Sequence, residues 1–427
     1  MNAQLIDTRT DTHVWVEQYD RDVNDLFTVQ SEIAQKVAQH LHAKLSASEQ
    51  ASVEERPTQD LVAYDFYVRA VSMIYTAQVP EESLGIDTEK TLSEAVDLLN
   101  RAVARDPNFF LAYCQLAFAH DLIGDTPERL ALAKSAIDSA FRLRPDSGEA
   151  HLALAWHLYW GYLDYDRARA ELARAQQSLP NNPRVYELAG SMDRSQRRWV
   201  DATHNLERAC ELDPRNFPYL VNLGSTYLWL HDYDQHAKIM DRIVALLPER
   251  RRERIFRASV EVYRRADTGP WRAELEKILT NEAGSEKDPF MAGQRYTLAL
   301  YDRDWDTASS LAPVLSQKNS LEWSFPQLDA GLGKKEEALN EGRRAMELGS
   351  SVKNSFTEPY VKICFAIICA WTGERELALG QLEALTKTPG SHTYGNFRLS
   401  PMWDPLRGDP RFEKIVASLA PKETVSK

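Results

Sequence analysis

The chain has 427 residues, of which 43% are apolar and 27% charged, proportions that are typical of a packed protein and exclude a disordered or collagen-like one. Its 63 acidic residues outnumber its 51 lysines and arginines, which gives a net charge of -12. Binding to duplex nucleic acid needs a surplus of basic residues, so no direct nucleic-acid partner is expected. The longest apolar run, residues 363–371, is far shorter than the roughly 20 residues that span a membrane, so no membrane segment is expected either.

The first 45 residues predict a β-hairpin followed by a helix. Two strand-like runs, residues 3–6 and 14–16, flank a polar segment that suits a turn. Apolar residues then recur every three or four positions from Leu26 to Leu45, as in an amphipathic helix. Two strands alone are only marginally stable in water. A lone hairpin at the start of a helical array therefore implies that its other sheet partners are missing. A polar linker is predicted at residues 46–59.

The middle of the chain carries an internal repeat. Alanines lie five and twelve residues before most members of a series of prolines, and an aromatic residue recurs at Tyr165, Trp199 and Tyr233. Alanine lets two helices approach closely and proline ends a helix, so the pattern predicts stacked pairs of antiparallel helices between residues 60 and 386. We expect eight or nine pairs, the least regular at residues 249–283. The prolines are spaced 38, 35, 34 and 34 residues apart: Pro107, Pro145, Pro180, Pro214 and Pro248.

This pattern resembles the tetratricopeptide repeat. Besides the prolines and alanines, the match is carried by Leu223, Gly224 and Tyr227 in one first helix and by residues 116–118 in another. The resemblance implies an all-α fold, a right-handed α-solenoid in which the first helix of each pair lines a concave groove. More degenerate repeats follow at residues 305–308, 333–338 and 373–378.

The N-terminal residues also resemble part of a known domain. Residues 14–22 and 25–34 resemble the last hairpin and helix of a TolB-like domain, with Asp11 where that family usually has glycine. Such domains precede tetratricopeptide arrays in bacterial class III adenylate cyclases, winged-helix regulators and Ser/Thr kinases. The resemblance implies that residues 1–45 end a TolB-like domain and that the chain is a C-terminal piece, or one whose start was placed late.

The last segment, residues 387–427, is expected to cap the array. The exposed end of a solenoid needs a cover for its apolar face. Trp403, Leu406 and Phe412 are suitable apolar plugs, and residues 399–412 resemble the closing segment of the same arrays.

The sequence carries no recognisable catalytic motif, so we interpret the chain as a non-enzyme without cofactor or metal. Acidic pairs recur in the turns between helices, where aspartate favours turns and helix N-caps, which indicates a structural role. Four cysteines without ligand-like spacing predict buried thiols rather than disulfides. With no signal peptide, a cytoplasmic location is expected, or a periplasmic one within a longer membrane receptor. The acidic pairs are Asp164 with Asp166, Asp232 with Asp234, and Asp302 with Asp304.

Two sets of residues are candidates for partner binding. The resemblance places several aromatic residues and one asparagine on the concave groove, where large aromatic side chains suit an interface. The alternative is that several of the aromatics pack between neighbouring repeats. A run of arginines could dock an anionic segment, or could form a solvated helix face paired with Glu249, Glu253 and Glu261. The groove candidates are Phe118, Trp156, Tyr159, Trp160, Asn222 and Trp229, and the docking candidates are Arg250, Arg251, Arg252, Arg254 and Arg257.

These observations favour a protein–protein interaction scaffold. Its partner would be a protein segment or another domain of a signalling protein, and the resemblance implies the sensory or regulatory arm of a bacterial signalling or transcription-regulatory protein. The alternative is a solenoid that senses a small ligand among the groove aromatics and regulates an attached effector such as a cyclase or kinase. The sequence does not indicate the oligomeric state.

Overall fold

The computed structural model describes residues 2–7, 12–20, 25–40, 55–78, 87–316, 335–351, 357–387, 389–390 and 392–420. The chain divides into two compact units, the first made of Met1–Gln78 and Asp87–Pro180 and the second of Val79–Ile86 and Asn181–Lys427. Antiparallel helix pairs make up most of each unit.

The predicted N-terminal hairpin is confirmed. Its two strands are antiparallel, and one face lies against the following helix, where Glu17 forms an ion pair with Lys36 and the ring of Trp15 lies 6.0 Å from that of His40. Within the described residues these two strands form a two-stranded sheet. The predicted turn at Asp11 lies outside the described residues. The elements are strands β1 (Asn2–Asp7) and β2 (Thr12–Gln18) and helix α1 (Leu26–His40).

Three helix pairs complete the first unit. Asp60 caps the first helix by accepting hydrogen bonds from the N–H groups of Val62 and Ala63. The pairs are α2 (Leu61–Ala77) with α3 (Thr88–Arg105), α4 (Phe110–Ile123) with α5 (Pro127–Leu143), and α6 (Gly148–Tyr162) with α7 (Tyr165–Ser178). The alanines that predicted close helix approach are fully buried: Ala95, Ala102, Ala133, Ala140, Ala168 and Ala175.

The second unit continues the helix pairs. The irregularity predicted at residues 249–283 is confirmed, because Ser259 interrupts the first helix of that pair. The repeat start predicted at residues 333–334 lies outside the described residues. The helices are α8 (Pro183–Ser195), α9 (Trp199–Leu212), α10 (Phe217–Trp229), α11 (Tyr233–Leu246), α12 (Arg251–Ala258), α13 (Val260–Arg265), α14 (Gly269–Asn281), α15 (Pro289–Asp302), α16 (Trp305–Ser316), α17 (Lys335–Ser351), α18 (Thr357–Trp371) and α19 (Arg375–Leu385).

The turn between the two helices of a pair has a recurring conformation. A residue other than glycine adopts the left-handed region, with φ between 49° and 61°. In three of the turns the next residue is an aspartate directly before the second helix, and its carboxylate accepts a hydrogen bond from the first turn of that helix: Asp164, Asp232 and Asp304. In a fourth, Asp267 lies one residue before the N-cap and accepts from the Gly269 N–H. These N-caps confirm the structural reading of those aspartates. The left-handed residues are Leu163, Arg197, His231, Ala266 and Arg303.

The C-terminal segment builds an apolar core of its own against α18 and α19. The rings of Phe397 and Trp403 lie 4.9 Å apart, and both pack against Phe412. Trp403, Leu406 and Phe412 are buried, as predicted. The chain is therefore an all-α solenoid of helix pairs with a short N-terminal hairpin. The elements of this segment are α20 (Tyr394–Leu399), a 3₁₀ helix (Pro401–Leu406) and α21 (Pro410–Ser418).

Candidate interaction surfaces

An aromatic ladder runs along the first helices of the first unit. The ring centroids of Phe118 and Trp156 lie 4.6 Å apart, and those of Trp156 and Trp160 lie 5.7 Å apart. Tyr159 contacts Trp160 at 5.5 Å and Tyr165 at 5.8 Å. The structure therefore brings together four of the six residues predicted to line the groove, three of them on helix α6.

Most of the ladder is interior. Phe118, Trp156 and Tyr159 are each less than a tenth exposed, so their rings serve the packing of the helix pairs, which is the alternative that the sequence left open. Trp160, by contrast, is 51% exposed, and Tyr162, which sequence reasoning missed, is 56% exposed. Both lie at the end of α6, just before the left-handed Leu163. The accessible aromatic surface of α6 is therefore this Trp160–Tyr162 edge.

A buried acid–base pair lies beneath that edge. His157 Nδ1 donates to Asp121 Oδ1 at 2.8 Å, and both side chains are at most 2% exposed. Burial raises the pKa of the Asp121 carboxyl, and the hydrogen bond from His157 opposes that rise. The Tyr162 ring packs edge-on against His157 at 5.3 Å. Because Asp121 is on α4 and His157 on α6, the pair joins the first helices of two successive pairs.

A second polar network holds Asn222 and Trp229 in the second unit. Asn222 Nδ2 donates to the buried carboxylate of Glu187 at 3.0 Å, and Ser191 Oγ donates to the same oxygen at 3.0 Å. Burial is the main cause that raises the pKa of Glu187. Arg194 donates to the Asn222 carbonyl and to Asn222 Oδ1, each at 3.2 Å, and its guanidinium lies 5.5 Å from the centre of the Trp229 ring.

This network fixes the first helices α8 and α10 together. Asn222 and Trp229 were predicted for the groove, whereas Glu187 and Arg194 were missed. Their spacing in the sequence could have identified them. The two residues are seven positions apart, and residues at i and i+7 lie on the same face of a helix. The half-buried Asn222 and Trp229 are held by neighbours of the same unit, and partner binding through them stays a prediction.

The arginine run is engaged within the second unit. Arg250 is buried beside Glu253 at 3.3 Å, Arg251 pairs with Glu282 at 2.7 Å, and Arg257 pairs with Asp241 at 2.5 Å. The two remaining arginines also have partners in this unit. Arg254 forms ion pairs with Glu282 and Glu274, and the Arg252 guanidinium lies over the rings of Phe256 and Phe290.

Most of these partners lie outside the helix that carries the run. Of the interleaved acids proposed from the sequence, Glu253 and, by a weaker electrostatic attraction, Glu249 act on Arg250, while Glu261 pairs with Arg265. Their charges are therefore largely compensated inside the unit, and docking through this run stays a prediction.

Metal-binding and nucleophilic side chains are the other kinds of candidate functional group. Among the described residues, no group of three or more His, Cys, Asp or Glu side chains could hold a metal ion. Three of the four thiols are buried and Cys364 is half-buried. Burial raises the pKa of Cys210 to about 12 and that of Cys369 to about 11, which disfavours the nucleophilic thiolate. In the part of the chain that the structure describes, no helix is long and apolar enough to cross a membrane.

The helix pairs, their buried alanines and their recurring turns decide the fold type. Their arrangement is similar to that of tetratricopeptide arrays. No protein-family model matches the chain. A stretch of 166 residues is 31% identical to "Putative adenylate cyclase 3" of Rhizobium meliloti (strain 1021) and covers 38% of this chain and 27% of that protein. A stretch of 157 residues is 24% identical to anaphase-promoting complex subunit 3 of Schizosaccharomyces pombe, with 37% and 23% covered. The chain spans about a quarter of the length of these relatives.

Solved structures are also similar to parts of the chain. PilF of Pseudomonas aeruginosa is 23% identical, with a TM-score of 0.40, and the match covers 53% of this chain and 99% of that one. A tetratricopeptide repeat protein from Parabacteroides merdae is 12% identical, with a TM-score of 0.38 and coverage of 62% and 95%. Human IFIT1 is 12% identical, with a TM-score of 0.39 and coverage of 86% and 95%.

Proposed function

We propose that this tetratricopeptide array is a protein–protein interaction scaffold. The observation that supports it is the Trp160–Tyr162 edge, where the exposed Trp160 packs against the buried Trp156 of the ladder and the exposed Tyr162 packs against the buried His157. Tryptophan and tyrosine are the residues most enriched at binding hot spots, because they bury large areas at low entropic cost. The partner would be a protein segment or another domain of a signalling protein.

We further propose that the scaffold is the regulatory arm of a bacterial signalling protein. The support is the 31% identity to part of an adenylate cyclase, together with the TolB-like features of the N-terminal hairpin and helix. In this proposal residues 1–45 end a TolB-like domain, 46–59 are a linker, 60–386 form the array and 387–427 cap it. The effector domain would be supplied by a longer polypeptide or by a partner.

Affinity capture with matched variants tests the scaffold proposal. The tagged chain, the double variant Trp160→Ala/Tyr162→Ala and the control Trp305→Ala are expressed in the native host, cross-linked and analysed by mass spectrometry. Trp305 is a suitable control because it is 52% exposed but lies outside the edge. We expect a signalling protein that is retained by wild type and by the control and lost by the double variant. Equal retention by all three chains would contradict the assignment of this edge.

A cavity in the first unit favours ligand sensing as a second candidate. It measures about 600 Å³ and is lined by Phe141, Asp146, His151, Glu171 and Arg174, among others, so it differs from the groove aromatics considered from the sequence. His151 Nδ1 lies 2.6 Å from Glu171, and Arg174 Nη1 lies 3.2 Å from the same carboxylate. In a thermal-shift screen, a metabolite that raises the melting temperature of wild type but not that of His151→Ala would favour this function over the scaffold.

A further inference from the structure

The C-terminal strap, defined as residues 389–390 and 392–407, folds back onto much earlier parts of the second unit. The Gly390 N–H donates to the Trp229 carbonyl at 3.0 Å, and His231 Nε2–H donates to the Gly390 carbonyl at 3.2 Å. Tyr301 Oη–H donates to Asn396 Oδ1 at 3.2 Å. The strap therefore does more than cover the end of the array.

The strap contacts equivalent places in successive helix pairs. His231 and Arg303 are both left-handed residues that end a first helix. Arg303 Nη1 donates to the Leu399 carbonyl at 2.8 Å, and Nη2 donates to the Asp404 carboxylate at 2.6 Å. Between these two turns, the strap crosses the last turn of the intervening first helix α13. We call the contacted surface the turn row, formed by Trp229, His231, Val262, Tyr301 and Arg303.

A glycine is required where the strap crosses α13. A Cβ atom built on Gly395 would lie 1.6 Å from the carbonyl oxygen of Val262, so the two backbones meet more closely than any side chain allows. Gly390, five residues earlier, is also tightly enclosed, since a Cβ there would lie 2.9 Å from the His392 ring. The ring that encloses Gly390 belongs to the strap itself, so the turn row requires a glycine only at position 395.

The chemistry of the contact is that of peptide recognition. The backbone amide and carbonyl of Gly390 and the carbonyl of Leu399 carry three of the strap's hydrogen bonds, so this part of the contact does not depend on the strap's side chains. The His392 side chain is buried, and neither of its ring nitrogens has a hydrogen-bond partner. An unsatisfied buried polar group weakens this end of the strap, whereas Phe397 and Trp403 hold the other end in an apolar core.

We propose that the turn row is a binding surface for short polypeptide segments, that the chain's own strap is its resident ligand, and that a segment with a glycine at the place of Gly395 can take the strap's place. This surface belongs to the second unit and is distinct from the Trp160–Tyr162 edge of the first. An incoming segment competes with a tethered one, whose effective concentration is in the millimolar range for a short connection. The wild-type chain is therefore closed to weak ligands.

The test opens the strap within the full chain and offers it back in trans. Gly395→Ala places a Cβ against Val262 and displaces the strap from α13. A fluorescein-labelled peptide of residues 389–400 with its native glycines is then titrated by fluorescence anisotropy. We expect it to bind the Gly395→Ala chain about 100-fold more tightly than wild type. A peptide with alanine at position 395 should not bind, and adding Arg303→Ala to the opened chain should weaken binding about tenfold.

A second opened chain guards against a folding defect in the first. The double variant Asn396→Ala/Asp404→Ala removes the strap's side-chain hydrogen bonds with Tyr301 and Arg303 but keeps Gly395. Hydrogen exchange of residues 389–400 reports whether each strap has opened. Tight binding of the native peptide to either opened chain supports the proposal. Absence of binding to a folded chain whose strap exchanges faster than in wild type would show that the strap is a fixed part of the core. Unchanged exchange in both variants would show that these contacts do not hold the strap, and would also overturn the proposal.

Discussion

The turns after helices α6 and α10 share one backbone design but differ in what covers them. Leu163 and His231 are both left-handed, with φ of 49° and 59°, and each is followed by an aspartate N-cap. In the first unit the residues around this turn include the exposed Trp160 and Tyr162. In the second, Gly390 and His392 of the strap lie against His231. The same local structure is thus next to an exposed aromatic edge in one unit and is covered by the strap in the other.

The two turns are also secured in different ways. The first rests on a buried pair from adjacent repeats, His157 with Asp121, whose members are 36 positions apart in the sequence. The second is held by a strap whose closest hydrogen bond to His231 spans 159 positions. A joint between neighbouring repeats forms with the array, whereas a joint with a distant segment can open without dismantling the pairs it covers. In the proposal made above, the first turn is therefore a permanent surface and the second a surface that the strap can vacate.

Among changes at the two turns themselves, the largest effect is expected from removing the inner support of the first. His157→Ala leaves the Asp121 carboxyl buried without its partner and leaves a cavity, so the free energy of unfolding of the first unit should fall by about 3 kcal/mol. The control is His151→Ala on the same helix, whose partner Glu171 is less buried, with an expected loss of about 1 kcal/mol. Urea denaturation followed by circular dichroism measures both. Equal losses would mean that burial of the Asp121–His157 pair does not set the stability of this turn.

Lowering the pH is expected to reduce the stability of the second turn by an intermediate amount. Burial, with a smaller contribution from His231, lowers the pKa of His392 from 6.5 to about 4. The unfolded chain therefore binds this proton at a higher pH than the folded chain does. The stabilisation is present above pH 6.5 and is lost as the pH falls towards 4, with a limit of roughly 3 kcal/mol.

A variant of the histidine separates this effect from other titrations. His392→Gln should reduce the loss of stability of the second unit between pH 7.5 and pH 5, compared with wild type, because glutamine does not titrate. His204→Gln on α9 is the matched control, since His204 is exposed in the same unit and its replacement should leave the wild-type loss unchanged. Denaturant midpoints at the two pH values give the comparison. If His392→Gln loses as much stability as wild type, the strap joint is not the acid-sensitive element.

The sequence predicts the pairs and their turns but not what covers the turns. Alanine and proline spacing identifies the helix pairs because close packing and helix ending are local properties of a repeat, and aspartates such as Asp164 and Asp232 identify the caps for the same reason. The contact between Gly395 and Val262 cannot be predicted in this way, since it depends on where a distant segment returns. Burial of Trp156 and exposure of Trp160, four residues apart on one helix, likewise depend on which neighbours each ring meets.

The smallest effect on stability is expected at the exposed edge, and it bears most directly on function. Trp160→Ala and Tyr162→Ala remove side chains that are about half exposed, so each should lower the free energy of unfolding by less than about 1 kcal/mol, mainly through lost ring contacts. Trp156→Ala, in the buried part of the same ladder, should cost about 3 to 5 kcal/mol. Thermal denaturation of the three variants makes the comparison. A large loss for Trp160→Ala would mean that its ring is structural, and the surface assigned to partner binding would then reduce to Tyr162.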